Sequence, residues 1–290
     1  MAPVRPPRGR IACGTRAGSR WAALALVVGG VALAAPPASA QGCPPFAAGE
    51  VLHYTMRVAF GLRIGKGELT VSESDTVRGE AALLLRFAIE VNAGPIHASQ
   101  RTASWVSPQT LATLRFVKHE RSPITDSDDS VEVYPRERRW AGPKGAIGYS
   151  PSDLPLDELS FLYFLRTLPL GPDSSWNFSR HYDPARSPTL VRVLGHELVK
   201  TEAGPFEAWK VELKVRDPSH FRGLGRMIVY LADDAQRTPV RIETDMREAG
   251  WTVLELSART APVVCAARGG NPDTTLQHPS QMFRTPPDAR

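Results

Sequence analysis

Three short segments of this sequence place residues in an order that resembles a known reactive motif. His196 and Glu197 begin a His-Glu-x-x-His pattern, in which two imidazoles one helical turn apart bind zinc. Lys200 stands where the second histidine is required, and an ammonium group cannot replace an imidazole as a zinc ligand. The segment also alternates between apolar and polar residues, so we interpret His196 as an ordinary strand histidine.

A segment that begins at Asp126 comes closer to a calcium-binding loop. Asp126, Asp128 and Ser130 occupy its first, third and fifth positions, and Glu137 stands at the last, where a bidentate carboxylate binds the ion. The sixth position needs glycine, however, and Val131 is β-branched and resists that conformation. We favour a solvated acidic turn that leads into a strand, with calcium binding as the alternative.

The remaining candidates for catalysis are incomplete as well. Ser150 lies in Gly-Tyr-Ser-Pro-Ser, which resembles a nucleophile elbow, but Pro151 removes the backbone N–H that would stabilise an oxyanion. His181 precedes Asp183 by two residues, and no activated nucleophile accompanies them. We expect no catalytic residue, no metal and no cofactor, although catalysis assembled from residues far apart in the chain stays open.

The first 40 residues have the three parts of a secretory signal peptide. Five arginines and no acidic residue form a basic start, and 15 apolar or small residues follow, from Trp21 to Ala35. Small residues then favour cleavage between Ala40 and Gln41. A membrane anchor is the alternative, but a bilayer requires roughly 20 apolar residues. We expect an exported, periplasmic protein whose mature chain has no transmembrane segment.

Removal of the signal peptide leaves a chain without net charge. The full sequence has 35 basic and 30 acidic residues. Five of the basic residues are the arginines of the signal peptide, so the mature chain carries equal numbers of each sign. The isoelectric point of about 9.3 therefore belongs to the precursor and does not indicate binding to nucleic acid.

Cys43 and Cys265 lie near the two ends of the mature chain. Two cysteines in an oxidising compartment predict a disulfide. Two unpaired thiols are one alternative. Another is that Cys43 is the lipidated N-terminus of an outer-membrane lipoprotein, although Gln41 fits that processing site poorly.

Alternation of apolar and polar residues dominates from Glu50 onward and predicts antiparallel strands. Trp209, Val211, Leu213 and Val215 point to one side of a strand, for example, and the lysines and glutamate between them point to the other. The segments with this pattern are 51–58, 130–134, 190–195, 209–215, 227–232, 240–247 and 251–256. The residues from Pro135 to Pro155 are predicted to be a long loop.

One segment has a helical pattern instead. Leu156 to Leu170 contains apolar residues at helical spacing, and Arg166 is its only basic residue. Pro155 suits the first turn and Pro169 ends the helix. Because the helix is apolar on most sides, we expect it to be buried against the sheet. We expect one domain over residues 41–265, preceded by the signal peptide (1–40) and followed by a disordered tail (266–290).

Several blocks of the sequence resemble the DUF3108 family of exported bacterial proteins. The first is Phe46-x-x-Gly49-Glu50-x-Leu52-x-Tyr54, followed by Gly61 and Gly65. The others are residues 159–170, the segment from Glu197 through PFEAWKVEL, and VYLADDAQRTPVRIE. They occur in the order of the family and extend to about Leu256. Because the family is uncharacterised, the resemblance implies no catalytic residue.

The resemblance implies an architecture similar to the open β-barrels of the periplasmic carriers LolA and LolB. We expect a mainly β protein: a large antiparallel curled sheet or open barrel with one apolar helix packed on it. Its expected function is to bind a lipid or acyl chain in the concave sheet, and the alternative is a structural or assembly factor that binds another envelope protein. The predicted ligand-binding residues are Phe161, Leu162, Leu165, Trp209, Val211 and Leu213.

Overall fold

A computed structural model describes residues 44–217, 221, 223–246 and 250–260 of the 290-residue chain. The predicted signal peptide with its cleavage site between Ala40 and Gln41, the cysteines Cys43 and Cys265, and the predicted C-terminal tail lie outside the described residues. No helix among the described residues has the length and apolar character needed to cross a membrane.

The described chain forms fourteen strands, one α-helix and four short 3-10 turns. The strands are β1 (Val51–Arg57), β2 (Arg63–Val77), β3 (Glu80–Ala93), β4 (Ile96–Val106), β5 (Thr113–Arg121), β6 (Asp126–Tyr134), β7 (Arg139–Ala141), β8 (Ile147–Tyr149), β9 (Ser175–Phe178), β10 (Thr189–Thr201), β11 (Gly204–Arg216), β12 (Leu224–Ala232), β13 (Pro239–Met246) and β14 (Gly250–Thr260), and the helix α1 is Glu158–Leu165. The 3-10 turns are Ala59–Gly61, Pro135–Glu137, Pro143–Gly145 and Pro184–Arg186.

All fourteen strands belong to one antiparallel sheet. Each strand is hydrogen-bonded to the next strand in the chain, with one exception: β8 and β9 do not pair and form the two edges of the sheet. The first and last strands, β1 and β14, pair with each other in the middle of the sheet. The sheet is curled and not closed, and α1 lies in the connection between its edges, which confirms the predicted fold class.

The alternation seen in the sequence becomes alternate burial in the strands. In β10, Thr189, Val191 and Val193 are buried, while Leu190 and Arg192 between them are exposed. A β-bulge follows Val193 and changes which residues face each side. The side chains that point inward form the main hydrophobic core together with α1.

The helix is buried against the sheet, as predicted. Leu159, Phe161, Tyr163 and Leu165 of α1 are buried in the main core with residues of both halves of the sheet, and α1 lies closest to β3 and β4. We call the face of the sheet that α1 covers the inner face.

The helix is shorter than the predicted segment from Leu156 to Leu170. Pro155 and Leu156 are extended, because the Pro155 carbonyl accepts a hydrogen bond from Thr113 and Leu156 bonds to Arg180 and Tyr182. The placement of Pro155 in the first helical turn was therefore wrong. Beyond Leu165, the backbone N–H groups bond to the third preceding carbonyl, so the last turn tightens and the helix ends.

The segment from Pro135 to Pro155 is also more regular than predicted. It contains the short strands β7 and β8, in which Trp140 lies opposite Gly148. A Cβ atom at Gly148 would lie 2.3 Å from the Trp140 indole. The glycine therefore leaves room for the indole to cross the neighbouring strand, a contact that the turn residues of this segment do not reveal in the sequence.

Candidate functional site

The six predicted ligand-binding residues lie in or against the main core. Phe161, Leu165, Val211 and Leu213 are buried in it, and Leu162 and Trp209 are half-buried and pack against it. The indole N–H of Trp209 also donates a hydrogen bond to Asp233, at 2.8 Å. The fold therefore brings the six residues into one cluster, and their contact with a ligand stays a prediction.

The N-terminus of α1 is held by a buried carboxylate. Asp157 is the N-cap residue, and one of its carboxylate oxygens accepts hydrogen bonds from the backbone N–H groups of Leu159 and Ser160, each at 2.8 Å. Its carboxylate also accepts hydrogen bonds from the hydroxyls of Ser104 in β4 and Thr113 at the start of β5, each at 2.7 Å. These bonds attach the beginning of the helix to the inner face of the sheet.

Burial changes the acidity of this carboxylate. Asp157 is fully buried, and desolvation of the charged form raises its pKa to about 6, although the hydrogen bonds from Ser160, Thr113 and Ser104 act in the opposite direction. Asp157 therefore takes up a proton in a mildly acidic environment.

The C-terminus of α1 is held by a buried ion pair. Arg166 directly follows the helix, and its guanidinium donates two hydrogen bonds to the two carboxylate oxygens of Glu50, both at 2.7 Å. Each side chain is only 1% exposed. The guanidinium also donates hydrogen bonds to the carbonyls of Pro45 (3.2 Å) and Gln236 (2.9 Å). Each of its three nitrogen atoms therefore has a hydrogen-bond acceptor.

Two aromatic rings enclose the guanidinium. The Phe46 and Tyr163 rings lie 5.0 and 5.2 Å from its central carbon and contact each other edge to face, with centroids 4.8 Å apart. We call Asp157, at one end of α1, and the Glu50–Arg166 pair, at the other, the helix clasp. It fixes both ends of the helix on the inner face.

Apolar side chains that are only partly buried border the helix. On α1 itself, the Phe164 ring packs edge to face against Phe178 of β9, with centroids 5.1 Å apart. On β3, Phe87, Ile89 and Val91 alternate along the inner face. We call the half-buried side chains of α1, β3 and β9 that pack against the core here the apolar border; they are Phe87, Ile89, Val91, Leu162, Phe164 and Phe178.

The segments that resembled reactive motifs have structural roles. His196 lies in β10, as interpreted, with its Nε2 atom 3.1 Å from Asp233. Asp126 and Asp128 lie in β6 and form ion pairs with Arg121. Ser150 is buried and donates a hydrogen bond to a neighbouring carbonyl. Among the described residues, no group of three or more His, Cys, Asp or Glu side chains is placed to bind a metal.

The sequence matches the family described as "Protein of unknown function (DUF3108)" over residues 53–256. The chain belongs to this family. The ion pair of the clasp joins two of the sequence blocks that resemble DUF3108 proteins. Phe46 and Glu50 come from the first block and contact Tyr163 and Arg166, which come from the helical block. No curated protein matches the chain.

The solved structures that are similar to this DUF3108 chain include the following three. The first is a β-barrel-like protein of the domain of unknown function DUF1849 from Brucella abortus, with 12% identity, a TM-score of 0.49, and coverage of 74% of this chain and 98% of that one. The others are a candidate exported protein with a YmcC-like fold from Bacteroides fragilis (13%, 0.35, 76% and 99%) and a candidate lipoprotein from Parabacteroides distasonis (13%, 0.31, 76% and 99%). Likeness at this level carries no information about activity.

The clasp was not predicted from the sequence. Asp157 lies inside the predicted helical segment, but its partners Ser104 and Thr113 precede it by 53 and 44 residues. Arg166 was noted only as an interruption of an apolar segment. A lone arginine in such a segment is the one signal available, since a buried guanidinium requires a carboxylate partner elsewhere in the chain.

Proposed function

We propose that this chain is an exported, non-catalytic protein that binds an apolar ligand, a lipid or an acyl chain, between the inner face of its sheet and α1. The observation that carries the proposal is the apolar border. Its side chains pack against the core on one side and leave apolar surface accessible on the other, beside a helix that is itself apolar. Ligand pockets are lined mainly by such side chains.

The clasp supports this function because it places the polar contacts of α1 at its two ends. Ser160 in the first turn also contacts the sheet through its hydroxyl, which lies 3.0 Å from that of Thr113. The side chains of Phe161 and Leu165 beyond it are buried in the hydrophobic core. An acyl chain beside the helix therefore replaces one apolar contact by another and leaves no buried hydrogen bond unmade. Export to the periplasm rests on the predicted signal peptide.

The experiment is native mass spectrometry of the protein purified from the cells that produce it, combined with a fluorescent fatty-acid binding assay. We expect co-purified lipid, and weaker probe binding when the apolar border is made polar by Ile89→Asn or Leu162→Asn. Leu198→Asn is the matched control, because Leu198 is exposed on β10 and is not part of the core. Equal binding by all variants, or protein without lipid, contradicts the proposal.

An assembly factor is the second candidate, and the two open edges of the sheet favour it. On β8, Ile147 and Tyr149 are exposed beside unpaired backbone groups. However, β8 and β9 have only three and four residues, and short edge strands limit pairing with another chain. In the same spectra, a stoichiometric protein partner without lipid supports this function instead.

A further inference from the structure

Arg180 places a guanidinium group beside the apolar border. It follows β9, and the central carbon of its guanidinium lies 4.5 Å from the centroid of the Phe164 ring. That ring packs edge to face against Phe178 and Phe161, with centroids 5.1 and 5.9 Å away. A positive charge therefore lies against the aromatic part of the border.

The hydrogen bonds of this guanidinium are incomplete. Its Nε–H donates to the Leu154 carbonyl at 2.8 Å, whereas its Nη2 atom is buried and has no hydrogen-bond partner in the described part of the chain. A guanidinium carries five N–H donors, and a charged donor that is shielded from water without an acceptor lowers stability. An acceptor from outside the chain would remove this penalty.

A comparison with Arg166 shows which kind of acceptor is needed. Both arginines lie against aromatic rings, but Arg166 donates to the two carboxylate oxygens of Glu50 and to two backbone carbonyls. For Arg180, the described residues supply no carboxylate at ion-pair distance, and the exposed Asp153 acts on it only from farther away. Burial lowers the pKa of the Arg180 guanidinium, and the charge of Asp153 opposes that change. The positive charge is thus only partly compensated.

The backbone fixes the position of Arg180 relative to the helix. Its carbonyl accepts a hydrogen bond from the Leu156 N–H at 2.6 Å, and the Leu156 carbonyl accepts one from the Tyr182 N–H at 3.0 Å. Leu156 directly precedes Asp157, the N-cap residue of α1. The guanidinium is therefore held beside the helix before any ligand binds, which lowers the entropic cost of binding.

We propose that Arg180 binds the anionic headgroup of the ligand, a carboxylate or a phosphate, while the acyl chain of the ligand lies along the apolar border. Two oxygen atoms of either headgroup match the paired N–H donors of a guanidinium. The inference rests on the proposed function and narrows its ligand to an amphiphile with an anionic headgroup. A long-chain alcohol presents no charged acceptor, so it should bind more weakly.

Displacement of the neutral fluorescent probe N-phenylnaphthylamine tests this assignment. The protein is purified from the cells that produce it, freed of lipid over a hydrophobic resin, and titrated at mildly alkaline pH with hexadecanoic acid, hexadecyl phosphate or hexadecanol. We expect both anions to displace the probe about tenfold more strongly than the alcohol, because only they form charge-assisted hydrogen bonds. In Arg180→Gln, this advantage should disappear while displacement by the alcohol is unchanged. Arg180→Lys keeps the charge but not the paired donors and should retain part of the advantage.

Arg138→Gln is the matched control. The Arg138 guanidinium also donates to a backbone carbonyl, that of Pro151, lies over the Tyr149 ring, and has a buried nitrogen without a partner among the described residues. Neither Pro151 nor Tyr149 belongs to the apolar border, so this variant should keep the full preference for anions. Equal losses in Arg138→Gln and Arg180→Gln would show a general effect of charge and would overturn the proposal.

The wild-type protein alone can also refute the proposal, whatever the stability of the variants. If it binds the probe but the acid, the phosphate ester and the alcohol displace the probe equally, the headgroup is not recognised, and the proposed function stands without this inference. If it binds neither probe nor lipid, the proposed function fails and the inference with it. Displacement by inorganic phosphate or acetate as strong as by the amphiphiles would show a site for free anions and would overturn the proposal. A preference for one of the two anionic amphiphiles over the other and over the alcohol supports it and identifies the headgroup.

Discussion

Replacement of Glu50 by glutamine tests whether the buried ion pair holds α1 on the sheet. The substitution keeps the size of the side chain and removes the charge that accepts two short hydrogen bonds from Arg166. Breaking a buried pair by removing one partner costs about 3–5 kcal/mol, since the remaining charge is left without compensation. The guanidinium keeps the carbonyls of Pro45 and Gln236, so we expect the lower end, about 3 kcal/mol of unfolding free energy.

Urea unfolding followed by far-UV circular dichroism measures this loss. With a slope of about 2 kcal/mol per molar urea, the midpoint should fall by about 1.5 M. Replacement of both partners, by Glu50→Leu with Arg166→Met, removes both buried charges, so the double variant should be more stable than the sum of the single losses predicts. We expect a coupling energy of about 2 kcal/mol from this cycle.

The matched control is an exposed pair of the same chemistry. Arg139 donates two hydrogen bonds to Glu137, but the two side chains are 37% and 58% exposed, so Glu137→Gln should change stability by less than about 0.5 kcal/mol. The reasoning is refuted if Glu50→Gln costs less than about 1 kcal/mol, or if the losses in the double variant simply add.

Three further predictions concern the helix and the chain ends. The pKa of Asp157 is raised to about 6 in the folded protein, so the unfolded chain loses this proton first as the pH rises from about 4 to 6. The free energy of unfolding, measured in urea relative to Asp157→Asn, should therefore fall by at most about 3 kcal/mol across that pH range. A difference between the two proteins that does not change with pH contradicts the raised pKa. Leu165→Ala should lower the free energy of unfolding by about 2–5 kcal/mol, because the Leu165 side chain is fully buried. Leu154→Ala, at an exposed position, should leave it nearly unchanged. Equal effects of the two substitutions in thermal or urea unfolding would show that α1 is not part of the core. The predicted disulfide between Cys43 and Cys265 would stabilise the folded chain by about 2–4 kcal/mol. If it forms, intact-mass analysis after alkylation without reductant should show no alkylated thiol on these two cysteines. Two alkylated thiols would exclude the disulfide.

The strands that the sequence predicts well are those with one buried and one exposed side. In β13, apolar and polar residues alternate from Val240 to Asp245, and the predicted segment 240–247 matches the observed strand to within one residue. No individual strand was predicted between Arg63 and Arg121, where β2 to β5 lie. In β3, the adjacent Leu84 and Leu85 are both buried, because both faces of the sheet are covered there. Apolar and polar residues therefore do not alternate at this point, and the sequence lacks the pattern that predicts a strand.

The candidate site depends on contacts that the sequence does not encode locally. The period of the helical segment predicts that Phe161 and Leu165 are buried, which the structure confirms. Glu50 and Arg166, however, are 116 residues apart, and neither has neighbours that mark it as part of an ion pair. Pairing over such a distance follows from the order of the strands, and only the complete fold reveals it.

The pairing of β1 with β14 has a consequence for how the protein folds. Each hairpin within β1–β8 and β9–β14 forms from residues close in sequence, but β1 and β14 place Val51 opposite Thr260, about 200 positions away in the chain. Closing so long a loop lowers the entropy of the chain before any contact compensates for the loss, so the pairing of β1 with β14 should form late in folding. The same pairing gives the domain a high contact order. Until the last strand has emerged, both β1 and β13 present unpaired edges, on which other unfolded chains can aggregate. A chain that ends before β14 should therefore accumulate as aggregate and not as a smaller folded domain.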